Sequence, residues 1–164
     1  MRILCFTVAL GALASCTTPA AENAQPVTEI PAAITGPFQG LPLRFDGYYR
    51  TDNGDVIRLM RFFPAGNVVL VNGTRETEKD LPAFLVPNTQ GNPGLGLHNV
   101  PVNVVGDSLH FTVHPEKGEI DLHGKAMSGS LVRFLRHSHI NGNREILEYI
   151  FYPDPPVGPE PASK

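Results

Sequence analysis

The feature that most restricts this chain is the regular spacing of its turn signals. Between residues 43 and 152, short runs rich in β-branched and aromatic residues are interrupted by clusters of turn residues. These are Asp52-Asn53-Gly54, Pro64-Ala65-Gly66-Asn67, Gly106-Asp107, Pro115-Glu116-Lys117-Gly118, Ser128-Gly129 and Asn141-Gly142-Asn143. Glycine, asparagine and aspartate tolerate positive φ and proline presets φ, so each cluster suits a tight reversal between antiparallel neighbours. Eight strands are predicted: Leu43–Thr51, Asp55–Phe63, Asn67–Thr74, Asn99–Val105, Ser108–His114, Gly118–Lys125, Ser130–Ser138 and Arg144–Tyr152. Only one connection is long, from Arg75 to His98. It opens on Thr77-Glu78-Lys79-Asp80, similar to a capping box, and continues through Leu81-Pro82-Ala83-Phe84-Leu85, which predicts one short helix.

Eight antiparallel strands joined in sequence can close on themselves and so remove the exposed edges that an open sheet must protect. The expected fold is all-β: a single eight-stranded antiparallel up-and-down barrel with one short helix after strand three. A barrel of this size is either filled by its own side chains or just wide enough for one small ligand. Composition sets the limits of the domain. Gly and Pro each number 16 among 164 residues. Five prolines fall at Pro19, Pro26, Pro31, Pro37 and Pro42, and five more at Pro153, Pro155, Pro156, Pro159 and Pro161. Residues 16–42 therefore read as a tether too poor in apolar surface to order itself, 43–152 as the barrel, and 153–164 as a Pro-rich tail. A formal charge of -3, with 13 Lys+Arg against 16 Asp+Glu, provides no basic patch, and nucleic-acid binding is excluded.

Residues 1–15 carry one positive charge at Arg2, an apolar run from Ile3 to Leu10 and then small residues, which is the layout of a signal peptide. Leu13-Ala14-Ser15-Cys16 resembles the bacterial lipobox, in which the cysteine becomes the lipidated first residue of the mature chain. The resemblance implies a lipoprotein held to the bilayer through acyl chains, palmitate among them, on Cys16. Thr17 stands where an aspartate would favour inner-membrane retention, so the expected location is the outer membrane, facing the periplasm. Stable anchoring of this kind takes two or more acyl chains, each contributing about 0.8 kcal/mol per buried CH₂. Cys5 leaves with the signal and Cys16 carries lipid, so no thiol remains for a disulfide, a metal or catalysis.

Phe45-Asp46-Gly47-Tyr48-Tyr49, the stretch from Leu59 to Val68, Gly106-Asp107-Ser108-Leu109-His110-Phe111, and Arg136 through Gly142 on to Glu148-Tyr149-Ile150-Phe151 resemble small bacterial proteins of calycin-like or lipocalin-like type. The resemblance implies a β-barrel and brings no catalytic or binding residues with it. Ala65 replaces the usual turn aspartate, and the first strand lacks the tryptophan of true lipocalins.

Alternation along the strands points Tyr49, Met60, Phe62, Phe111, Tyr149 and Phe151 inward. They form either a packed core or the lining of a cavity for a small apolar ligand, with Leu81 to Val86 as its lid. Alternation also turns His110, Thr112 and His114 outward. A hairpin at Pro115 to Gly118 sets His114 opposite Glu119, Thr112 opposite Asp121 and His110 opposite His123. No metal centre is expected; the nearest approach to one is the pair His110 and His123. His137 and His139 share a face beside the Asn141-Gly142 turn, where a structural hydrogen bond is expected of His137. Arg58, Arg61, Glu119, Asp121, Arg133, Arg136, Glu145 and Glu148 read as solvated cross-strand pairs on the outer wall.

No serine lies in a Gly-x-Ser-x-Gly elbow, and Gly94-Leu95-Gly96 lacks the strand-to-helix setting of a phosphate loop. Neither an enzyme nor a cofactor is expected. The reading is a lipid-anchored periplasmic lipoprotein, a binding module for a small apolar ligand or, alternatively, a structural protein with a filled barrel that presents loops to an envelope partner. The sequence leaves the oligomeric state open.

Overall fold

The computed structural model describes residues 36–155. The signal peptide, Cys16, most of the expected tether and the end of the tail lie outside the described residues. Nine strands form one antiparallel sheet: β1 (Gly47–Asn53), β2 (Val56–Phe63), β3 (Asn67–Thr74), β4 (Leu97–Pro101), β5 (Asn103–Val105), β6 (Ser108–Val113), β7 (Ile120–Ser128), β8 (Leu131–Ser138) and β9 (Arg144–Pro153). Their order is β4-β3-β2-β1-β9-β8-β7-β6-β5. The two strands at the ends of that order are consecutive in the chain, joined only by Val102. The expected strand Asn99–Val105 is thus a single run bent at Val102, whose N–H donates to the Gly66 carbonyl at 2.9 Å. That corner nearly closes the all-β up-and-down barrel, and the bend is the reason eight runs give nine strands.

Two of the tight turns show why the register holds. Gly54-Asp55 and Gly106-Asp107 are two-residue loops between the paired residues Asn53–Val56 and Val105–Ser108. Their glycines sit at φ +62, the conformation that a type II′ hairpin needs at its first position and that glycine adopts without strain.

The barrel interior is filled from one end. Tyr49 meets Phe62 and Phe151 edge-on at 5.9 and 5.1 Å, Phe111 meets Phe134 at 5.3 Å, and Phe134 meets Tyr149 at 6.3 Å. The Tyr49 hydroxyl accepts from the Arg44 N–H at 2.9 Å and donates to the Gly129 carbonyl at 3.2 Å, so its polar tip is satisfied inside the core. Composition placed residues 36–42 in the tether, yet Phe38 is fully buried against Phe62 at 5.7 Å and belongs to this core with Leu43. The lead-in to the first strand therefore plugs one end of the barrel, and the strand itself begins at Gly47 rather than Leu43.

The long connection corrects two further expectations. It forms a 3-10 helix, Glu78–Phe84, and a single 3-10 turn, Pro93–Leu95. Thr77 makes no side-chain cap; its hydroxyl instead accepts the Thr74 N–H and donates to the Thr74 carbonyl. Nor is the connection a lid over the interior. Leu81 and Leu85 pack on the outer wall against Ile57, Leu59, Val69, Val71 and Leu97, because β2 and β3 carry apolar residues in both phases. Arg50 holds the connection in place with an ion pair to Glu78 at 2.6 Å.

Candidate functional site

At the barrel end away from Phe38, the inward-facing positions turn polar. Arg58 lies two residues before Met60 on β2, Asn72 two after Leu70 on β3, and Arg136 two after Phe134 on β8, so the period of two aims all three inside. With His98 and Tyr149 they line a pit of about 150 Å³, completed by Val56, Leu70, Val113, Ile120 and Leu122. The reading of Arg58, Arg136 and Glu145 as outer-wall pairs is corrected here. Arg136 Nη1 donates to Glu145 Oε1 at 3.0 Å, and Asn53 Nδ2 donates to the other oxygen at 3.1 Å. Arg133 with Glu148, by contrast, is a pair on the exposed wall, as expected.

Charge in the pit is unbalanced. Glu145 is engaged by Arg136, whereas Arg58 Nη1 is buried without a hydrogen-bond partner. An unpaired buried donor costs about 1–3 kcal/mol, more when charged, so an acceptor that reached this nitrogen would relieve that cost. Burial pushes the Tyr149 phenol well above its ordinary 10 and the His98 imidazole below its ordinary 6.5. Both groups are therefore neutral at physiological pH, leaving the Arg58 cation as the surplus charge.

The six expected lining residues all point inward and all belong to the barrel core: Tyr49, Met60, Phe62, Phe111, Tyr149 and Phe151. Only Tyr149 among them touches the pit. Arg58, Asn72 and His98 were not singled out as inward. Alternation puts Arg58 in phase with Met60 and Asn72 in phase with Leu70, whereas His98 falls in the stretch that the sequence assigns to the long connection.

The outer wall of β6 to β8 carries the second cluster. His110 and His123 face each other in the expected register, with Nδ1 atoms 2.6 Å apart, and Thr112 faces Asp121. His114 Nδ1 lies 3.5 Å from Glu119 Oε1. Asp121 is also opposite His137 on β8, and its Oδ2 contacts His139 Nε2 at 2.7 Å, a hydrogen bond that with Thr112 lowers the carboxyl below its ordinary 3.8. His137 rests on His139 at 4.3 Å between ring centres. Five of the six histidines thus share one outer face, with His98 alone inside.

No protein-family model, curated protein or solved structure matches this chain.

Proposed function

We propose that this protein is a lipoprotein of the bacterial cell envelope, anchored through Cys16 to the outer membrane on its periplasmic side, whose barrel is a binding module of lipocalin-like type. Its ligand is a small carboxylate with a short apolar tail. The observation that carries this reading is that Arg58, whose Nη1 is buried and unpartnered, lines a pit walled by Leu70, Val113 and Leu122. A cavity of about 150 Å³ takes a molecule of roughly benzene size. A carboxylate on Arg58, with the Tyr149 hydroxyl and the Asn72 amide nearby, would satisfy the charge while the tail covers the aliphatic wall. The ligand thereby differs from the wholly apolar one that the sequence suggests, because aromatic side chains occupy the apolar half of the barrel.

The test is calorimetric titration of the Cys16→Ala chain, lacking residues 1–15, with benzoate and hexanoate. Arg58→Met should weaken binding about 10–100-fold, the value of a charge-assisted hydrogen bond, while leaving the fold intact. Equal affinity of wild type and Arg58→Met, or no binding by either, would overturn the reading. Anchoring has its own test: Cys16→Ala should move the protein from the membrane to the soluble periplasmic fraction and abolish labelling by palmitate.

A second reading, an interaction protein of the envelope, is favoured by a groove of about 180 Å³ under the long connection. Val71, Leu81, Phe84, Leu95 and Leu97 line it, and Leu95 is 65% exposed. A photo-crosslinker at Leu95 should then capture an envelope protein in intact cells; an uncrosslinked band at full yield would count against it.

A further inference from the structure

We propose that Asp121, His137 and His139 bind a divalent first-row transition ion, with zinc the best fit, on the outer wall of the barrel. Each side chain has a different backbone origin: Asp121 from β7, His137 from the cross-strand position on β8, and His139 from the turn that follows. One donor atom from each lies within 4.8 Å of the others, the only such trio of His, Cys, Asp or Glu among the described residues. A tetrahedral zinc with bonds of about 2.0–2.1 Å needs its ligand atoms roughly 3.3 Å apart. Asp121 Oδ2 and His139 Nε2 are already 2.7 Å apart, so a zinc would part these two slightly and draw His137 in.

Two details favour a built site over a chance cluster. Thr112 Oγ1 donates to Asp121 Oδ1 at 2.7 Å, which orients the carboxylate and leaves Oδ2 facing His139. Metal-bound carboxylates characteristically have this outer support. The backbone N–H of His139 also donates to the Glu119 carbonyl at 3.0 Å, fixing the turn from which its ring projects. The Asp121–His139 hydrogen bond would give way to the ion, and two nitrogens with one oxygen leave a fourth position for water or a ligand atom. Borderline imidazole donors and a single carboxylate select zinc-like ions over magnesium or calcium, which prefer all-oxygen sets.

The neighbouring charges are mixed. Arg144 stands opposite His137, and His123 lies two residues from Asp121 on the same face. Arg144 repels the ion and should weaken binding. The pair His110 and His123, the nearest approach to a metal site in the sequence, forms no trio with a carboxylate, because the Asp121 oxygens are turned toward Thr112 and His139.

The experiment is titration of the full chain, purified in detergent without a polyhistidine tag and stripped with chelator, with zinc chloride at pH 7.5. One zinc per chain is expected, with a rise in melting temperature. Asp121→Asn, His137→Ala and His139→Gln should each weaken binding at least about 10-fold, and Thr112→Val should weaken it about 10-fold through the orientation of Asp121. Arg144→Ala should strengthen it, and the double variant His110→Ala/His123→Ala should leave it unchanged. Circular dichroism identifies any variant that fails to fold, in which case the Thr112→Val and Arg144→Ala pair decides. No zinc uptake, uptake unaffected by the trio, or uptake lost with His110 and His123 would overturn the proposal.

Discussion

Phe38 shows how much one residue outside the strands can contribute. Its ring is fully buried against Phe62 and lies 6.0 Å from Phe45, closing the apolar end of the barrel. Phe38→Ala should cost about 3–5 kcal/mol in urea denaturation, the usual loss for a buried aromatic; a loss under about 1 kcal/mol would show that the plug contributes little. His98 links the pit to pH. Because burial lowers its pKa from 6.5, with His114 acting the same way, the folded state takes up that proton less readily than the unfolded chain. The stability is complete above pH 6.5 and declines as pH falls through that value toward the folded pKa. Melting temperatures measured from pH 7.5 to 5 should decline, and His98→Asn should flatten the slope; an unchanged slope would remove His98 from the account. Asp121, whose pKa is lowered from 3.8, acts only in the more acidic range below that value.

Among the elements, the β7–β8 pair depends on a missing side chain. A Cβ on Gly124 would fall 2.0 Å from the Arg133 carbonyl oxygen and 2.6 Å from the Phe134 ring, which lies over the glycine. Gly124→Ala should therefore destabilise the barrel by about 1–3 kcal/mol as the strands part. Gly129→Ala, whose Cβ would meet only the Arg44 side chain at 3.5 Å, is the control and should stay within about 0.5 kcal/mol. Equal effects would show that strand spacing accommodates the methyl group. The long connection teaches the opposite lesson. Its composition predicts one short helix, and Glu78–Phe84 is that helix, 3-10 in form with Pro82 inside it; Thr77 does not cap it, and Leu81 and Leu85 seat it on the wall. Local signals place the helix in the chain, and the apolar outer face of β2 and β3 decides where it packs.

For the whole molecule, continuous pairing of nine strands makes the sheet one cooperative unit. β1 pairs with β9 across about a hundred residues of chain, and β2 and β3 belong to both the inner core and the outer cluster. Thermal unfolding followed by tyrosine fluorescence and by circular dichroism should give one coincident transition; two separate midpoints would mean that the outer cluster melts independently. Alternation and turn chemistry are local properties, so the all-β class, the hairpins and the facing of His110 to His123 were legible in the residues alone. The N-terminal address is likewise a property of consecutive residues, and it remains a proposal carried by them. Other features depend on which distant strands become neighbours. The bend at Val102, the burial of Phe38, the seat of the long connection, the nearness of Arg58 to Tyr149, and the meeting of Asp121 with His137 and His139 all needed the nearly closed barrel. Sequence spacing assigns a side chain to a face, but only the curled sheet decides what that face encloses and which other faces it meets.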